Sequence, residues 1–587
     1  MQIGAKIKAL RIANDLTLEE LASRSELTKG FLSQLERDLT SPSVATLENI
    51  LEALGTNLKD FFSEDEDEQI VFSKDDFFEN IQDDYKISYI IPNAQKNDME
   101  PILIELKKGK NSMEIDPHDG EEFGYVIHGK ITLMNGDEEY EVKKGETFCF
   151  SLVGSVCSSR DFFDPYNEAE RQVIYAVHEG EEALMQAHYR LWDELWQGDI
   201  RIEGDDDAQR IVRFALFNLY SSCRGGSRLS IPPMGLSLQG YNGHIFWDTE
   251  LWMYPPMLLL NQDIARSMLD YRFDRLPAAR KKALAYGYRG AMFPWESDDS
   301  GEEATPTHAL TGPFEHHITA DIGIACWNYY CVTRDMRWLQ REGYPLLKEI
   351  ADFWTSRVTR NPDGSYSIHN VTGADEYANG VTDNAFTNGA ASLALKYACQ
   401  AAEICGEKVP ELWWKIGETK GNIRILQFEN GVTREHSTYK GEMIKQADAN
   451  LLAYPLGLIT DEYRQRQDLE YYAERIDQKD GPAMSYSVYC VQYARMGEAD
   501  KAYEMFRRCY EPNLRKPFGV ISETPTSNNP YFMTGAGGLL QAVLNGFCGL
   551  QITDEGIVQL PSALPSHWKR VTVTGVGSDK KTYVRER

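Results

Sequence analysis

Residues Gly240 to Trp252, GYNGHIFWDTELW, place a histidine, two acids and two tryptophans between helical segments, with no hydrophobic period to account for them. Indole faces pack on the C–H faces of a pyranose, and a carboxylate such as Asp248 accepts charge-assisted hydrogen bonds from hydroxyls, so Trp247 beside Asp248 reads as a sugar site. The same residues also fit a buried aromatic core in which Asp248 caps a helix beginning at Thr249. Four further polar-aromatic clusters favour the sugar site: FPWES at 293–297, VTGADEY at 371–377, KQAD at 445–448 and SETPTSNNPYF at 522–532. From about 208 to 549 the apolar period is helical, as in AQRIVRFALFNLYSS and ITADIGIACWNYYCVT, and the clusters fall in the intervening loops or at helix ends. That arrangement predicts a ring of helix pairs presenting its loops around one funnel.

At 587 residues the chain exceeds one compact core, and its length suggests three or four domains. Ninety acidic against 61 basic residues give a net charge of -29, which repels nucleic acid, anionic membrane and free phosphate at long range. The 10 cysteines show neither paired CxxC nor metal-type spacing, so reduced thiols in a cytosol are expected. No apolar run is long enough to span a membrane, and the first residues lack a signal-peptide pattern.

Residues 4–62 read as short helices, with apolar Ile7, Leu10, Leu18, Leu21, Ala22, Leu32, Leu35, Val44, Leu47, Ile50, Leu51 and Leu54 at helical spacing and Thr17 and Thr28 placed as N-caps. The stretch LTLEELASRSELTKGFLSQLERDLTSPSVATLENILEALG resembles the helix-turn-helix of phage-repressor-like regulators. The resemblance implies a recognition helix at Thr28–Glu36, with Lys29, Ser33, Gln34 and Arg37 meeting DNA. A helical bundle without DNA binding is the competing interpretation, because acidic and basic residues nearly balance here.

The acidic run SEDEDEQ at 63–69 reads as a solvated linker, assigned to 63–85. Residues 86–150 alternate apolar and polar around an Asn135-Gly136 turn, which predicts a β-meander. HDGEEFGYVIHGKITL followed by GETFCF resembles a cupin, cut short before its usual later strands. His118 and Glu122 stand at two cupin ligand positions, but a metal needs more protein ligands than these two and none is expected.

After Phe150 the sequence resembles glycoside hydrolase family 65, beginning near the end of that family's β-sandwich and continuing to 583. Most of the sandwich is missing. The resemblance implies an (α/α)6 barrel and inverting cleavage or phosphorolysis of α-glucosides, without a cofactor. Carried over residue by residue, Trp247 and Asp248 bind the glucosyl unit, joined by Trp295, Glu296, Lys445 and Gln446. Glu376 of GADEY is the general acid, its proton expected to be held by Asp375 and loop burial; Ala374 replaces the usual proline. Glu523 is the general base, because a carboxylate there would repel a phosphate dianion and accept a proton from water. Asn529 and its neighbours in SNN position that water, and His316 and His317 read as satisfied polar residues at a helix start.

The expected whole is multidomain and mainly α. It comprises a helix-turn-helix at 1–62, a partial β cupin at 86–150, a sandwich remnant with a connecting helix at 151–204, an (α/α)6 barrel at 205–550 and a short C-terminal β segment at 551–587. The activity implied is inverting hydrolysis of α-glucosides, most similar to members acting on α-1,2-linked glucose of the kojibiose or glucosyl-galactosyl type. The alternatives are a phosphate-dependent disaccharide phosphorylase and a sugar-responsive regulator without turnover. The partners are an α-glucoside and double-stranded DNA through 1–62, with no membrane; an oligomer is compatible with this picture.

Overall fold

The computed structural model describes residues 3–587 except 14–15, 19–20, 23–24, 26, 38–39, 41, 55, 57, 59–60, 62–70, 92–98, 114–120, 136–137, 152, 239, 418–421, 517–518 and 530. The run at 63–69 and His118 lie outside the described residues. The chain forms two compact units, Met1–Gly154 and Ser155–Arg587.

In the smaller unit, α1 (Ile3–Ala13), α2 (Lys29–Leu35) and α3 (Val44–Ala53) enclose a core of Ile7, Leu21, Leu32, Leu35, Ile50 and Leu51. The Thr28 hydroxyl accepts from the Phe31 N–H at 3.2 Å, the N-cap expected from its position. Arg11 clamps α1 to the end of α2 through Glu36, at 2.6 and 2.9 Å. Val44 departs from the apolar set: at the first position of α3 it is 71% exposed, because the first turn has not yet rotated that side onto the core.

The strands begin earlier than expected. The segment β1 (Phe78–Ile81), inside the stretch assigned as linker, pairs antiparallel with β2 (Tyr85–Tyr89), which pairs with β3 (Ile102–Leu106). KISY alternates polar and apolar, whereas FENI does not and joins it only by pairing across a tight Asp83-Asp84 turn. Two further antiparallel pairs join β4 (Glu121–Tyr125) to β7 (Thr147–Ser151) and β5 (Lys130–Asn135) to β6 (Glu138–Lys143). Ile87, Val126 and Val142 are buried, whereas Phe78, Phe123, Ile127 and Met134 face solvent.

The larger unit opens with α4 (Pro165–Glu179) and α5 (Glu181–Leu195), neither of which buries a residue completely. Next come β8 (Ile200–Glu203) and α6 (Asp206–Ser222). The strand β8 pairs with β11 (Arg570–Val576), itself paired with β12 (Lys581–Glu586), so the C-terminal strands close against the start of the unit. The remaining pair is β9 (Leu550–Thr553) with β10 (Gly556–Gln559).

Between these ends lie α7 (Ile318–Thr333), α8 (Ala385–Cys405), α9 (Ser485–Arg495) and α10 (Met533–Gln541), buried on nearly every side. Such all-round apolar helices belong inside a unit. Small residues let them approach: a Cβ on Gly537 of α10 would stand 2.6 Å from the Trp252 carbonyl oxygen. No described helix is long and apolar enough to cross a membrane.

Candidate active site

Asp248 enters a helical stretch without capping it: its Oδ1 accepts instead from the Thr534 hydroxyl, 2.5 Å away on α10. Burial, with Glu523 and Glu376 nearby, pushes its carboxyl up to about 7. Trp247 and Trp295 are 2% and 4% exposed, so they wall the site and do not offer free faces for stacking. Their rings lie 6.1 Å apart, and Trp247 also meets Phe386 at 6.0 Å. Glu303 pins the FPWES turn, accepting from the N–H groups of Trp295 and Glu296 at 2.9 and 3.1 Å. The Glu296 side chain faces His244 Nδ1 at 3.0 Å.

The GADEY and KQAD loops are tied to each other. Lys445 N–H donates to Asp375 Oδ1 at 2.7 Å, while Lys445 Nζ and Gln446 Nε2 reach the two Glu376 oxygens at 3.0 and 3.4 Å. Asp448 accepts from Asn384 Nδ2 at 2.8 Å and from the Phe386 N–H at 3.2 Å, fixing the loop to the start of α8. Gly373 is required there, since a Cβ would fall 2.2 Å from Asn384 Nδ2. Burial and the charges of Asp448 and Asp375 push the Glu435 carboxyl well above the usual carboxylate range, and neither of its oxygens receives a donor among the described residues. The Glu376 side chain is 27% exposed and in contact with the Lys445 ammonium at 3.0 Å.

Glu523 is held from three directions. The Tyr241 hydroxyl lies 2.9 Å from each of its carboxylate oxygens, Asn529 Nδ2 donates to Oε2 at 3.1 Å, and the Glu523 N–H donates to Asn529 Oδ1 at 3.1 Å. Tyr241 and Asn242 both adopt left-handed backbone, φ +55° and +52°, which turns the tyrosine toward Glu523. Tyr241 feels the charges of Glu523, Asp248 and Glu376, and Lys445 those of Glu376 and Glu523, so the acids converge on one place.

Behind the indoles, His317 Nδ1 meets Asp321 Oδ2 at 2.8 Å and Nε2 meets Glu315 Oε1 at 3.0 Å. Burial favours its neutral ring, but Asp321 and Glu315 hold it at about 10, so it is an imidazolium at neutral pH. Its ring packs 4.9 Å from Trp247 and 5.5 Å from Trp295. His316 receives Arg357 Nε and bonds the Pro313 carbonyl, so both histidines are satisfied within the protein.

The structure thus brings Trp247, Asp248, Trp295, Glu296, Glu376, Lys445, Gln446 and Glu523 together. It adds Tyr241, His244 and Thr534, to which the sequence reading gave no role, and it supplies Glu315 and Asp321 as the partners of His317, which was expected to be a satisfied polar residue. Tyr241 lay in the opening stretch, and its two neighbouring glycines were the available signal. In the smaller unit, Lys29, Gln34 and Arg37 are exposed on α2 or just past it, opposite Leu32 and Leu35, while Arg37 bonds back to the carbonyl and hydroxyl of half-buried Ser33. Glu122 lies on β4 and, among the described residues, joins no group of three metal-ligating side chains.

The profile of the glycosyl hydrolase family 65 central catalytic domain matches residues 213–420, a helix-turn-helix profile matches 7–61 and a cupin domain profile matches 102–151. The chain is 54% identical to a kojibiose hydrolase of Flavobacterium johnsoniae over 445 residues, 76% of this chain and 65% of that protein. It is 31% identical to a kojibiose phosphorylase of Thermoanaerobacter brockii over 561 residues, 84% of this chain and 68% of that one. A solved structure provisionally described as a kojibiose phosphorylase from the human microbiome superposes with a TM-score of 0.62 at 20% identity, covering 72% of this chain and 67% of its own. The chain therefore spans about 65% of the length of its hydrolase relative.

Proposed function

We propose, from the premise that this chain belongs to glycosyl hydrolase family 65, that its larger unit hydrolyses α-1,2-linked glucosides of the kojibiose or glucosyl-galactosyl type with inversion. The helices of 205–550 close as an (α/α)6 barrel with its loops around the site. Asp248, Glu296, Lys445 and Gln446 receive the hydroxyls of the glucosyl unit between the walls of Trp247 and Trp295. Glu376 protonates the leaving oxygen, and Glu523 takes a proton from the attacking water. The smaller unit reads double-stranded DNA through Lys29, Ser33, Gln34 and Arg37. With nine free cysteines among the described residues, the protein works in the cytoplasm.

The observation that carries hydrolysis is the fixed carboxylate of Glu523. Tyr241 and Asn529 donate to it and hold it on the site, where its charge would oppose a phosphate dianion and favour water as the nucleophile. Inversion further needs Glu376 and Glu523 roughly 6.5–9.5 Å apart, leaving room for that water. The full chain is assayed against a panel of α-glucobioses with and without phosphate, and early product is followed by proton NMR. Phosphate-independent release of β-glucose from kojibiose is expected, lost in both Glu376→Gln and Glu523→Gln. Formation of glucose 1-phosphate would make the chain a phosphorylase, and early α-glucose from the non-reducing unit, in excess of what the reducing-end glucose supplies, would exclude inversion.

A further inference from the structure

The larger unit holds a cavity of about 750 Å³ that shares no residue with the catalytic site. Three inner segments start at that site and pass the cavity. From Ile318 to Asn328 on α7, from Phe386 to Lys396 on α8, and from Thr534 on α10 to Asn545, the spacing is ten or eleven residues. At 1.5 Å rise per residue each is about 15 Å, so the cavity opens well down the helices from the reacting groups.

Its walls are unevenly satisfied. Asn545 is 5% exposed; its Nδ2 donates to the Leu550 carbonyl at 2.9 Å, but its Oδ1 receives no donor. Neither Lys396 Nζ nor the Asn328 amide has a hydrogen-bond or ion-pair partner among the described residues. Asp554 at the rim is already committed, accepting from Trp327 Nε1 at 2.9 Å and Gln400 Nε2 at 3.1 Å. Aliphatic side chains and Tyr397, whose ring stacks on Trp327 at 5.4 Å, form the apolar part of the wall, and Arg464, Gln427, Gln551, Ser392 and Thr553 add polar groups, Arg464 already donating to the Thr433 hydroxyl at 3.0 Å.

We propose that this cavity is a second binding site for a neutral sugar of mono- or disaccharide size. Buried Asn545 Oδ1 needs a hydroxyl that donates, Lys396 and Asn328 offer donors to a ligand's oxygens, and the aliphatic and tyrosine walls match C–H faces. A sugar supplies all three, and cavities of roughly 300–1,000 Å³ enclose ligands of this size. The proposal reads binding and does not rest on turnover by the catalytic site.

The test is glucose titration of the full chain by calorimetry, with crystals soaked in glucose. Asp248→Asn removes a group from the reacting subsite and should leave one binding event intact. Adding Lys396→Ala, an exposed change that spares folding, should weaken that event about tenfold or more, and Asn545→Leu should abolish it. Lys396→Ala alone should leave the hydrolysis rate unchanged. Loss of all binding in Asp248→Asn, or glucose density confined to the catalytic site, would overturn the proposal.

Discussion

Tyr241 shows how one side chain sets the geometry of another far away in sequence. Its hydroxyl is shared between the two oxygens of Glu523, and the left-handed pair Tyr241-Asn242 that delivers it stores backbone strain which the fold sustains. A hydrogen bond to a charged group contributes about 1.5–3 kcal/mol. If Glu523 is the base proposed above, Tyr241→Phe should therefore lower kcat about 10- to 100-fold with little change in KM, since the ring still fills its place while the carboxylate loses its orientation. Steady-state kinetics on kojibiose check this; a loss confined to KM would assign Tyr241 to substrate contact. The acids and tryptophans of the site were legible because each sits in a cluster whose composition no helical period explains. Tyr241, Thr534 and Asn529 were not assigned to their carboxylates because their meaning lies in pairings, Tyr241 with Glu523 and Thr534 with Asp248, that local pattern does not contain.

At the scale of the element, α2 is the clearest case of pattern determining structure. Leu32 and Leu35 bury one side, Thr28 caps the start, and the chain leaves Lys29, Gln34 and Arg37 facing solvent. If this side reads DNA, Gln34 recognises a base edge and Lys29 a phosphate. Gln34→Ala should weaken the preferred operator selectively, whereas Lys29→Ala should weaken every sequence and lower the salt slope by about 1. Binding isotherms on specific and random duplexes at several salt concentrations separate the two; equal losses on both duplexes for Gln34→Ala would remove its base-reading role. The strands were less legible. Alternation and Asn135-Gly136 marked the β5–β6 hairpin, but β1 hid beside an acidic run, and β8 acquires its strand character only by pairing with β11, more than three hundred residues later. Phe78, Phe123 and Ile127 are exposed on or just beside these strands, whose pattern alone did not mark which side would be covered.

At the scale of the whole molecule, all 11 tryptophans lie at or beyond Trp192, so indole fluorescence reports the larger unit alone. That unit holds several buried groups whose titration opposes the fold at high pH, raised carboxyls such as Asp248, Asp375 and Glu435 together with His317. Asp248 rises from 3.8 to about 7, so the folded state binds a proton that the unfolded state releases, and stability falls as pH climbs between those values. His317 rises from 6.5 to about 10; its contribution is complete below 6.5 and is lost as pH passes 10. Asp205, held down at about 2 by donors from Ala208, Trp568, Tyr503 and His567 that outweigh its burial, acts in the opposite sense and is lost only in acid, below 3.8. The larger unit should therefore be most stable in mildly acidic solution and lose stability steadily up to pH 10, with Asp248 and His317 each contributing at most about 4–5 kcal/mol. Urea unfolding followed by tryptophan fluorescence measures it. Asp248→Asn should flatten the curve between pH 4 and 7 and raise stability at pH 8, because an amide keeps the Thr534 contact without burying a charge. His317→Gln should lower stability at pH 6 and flatten the segment from 6.5 to 10. A profile unchanged by either substitution would show that these two groups do not govern the alkaline limit of the fold.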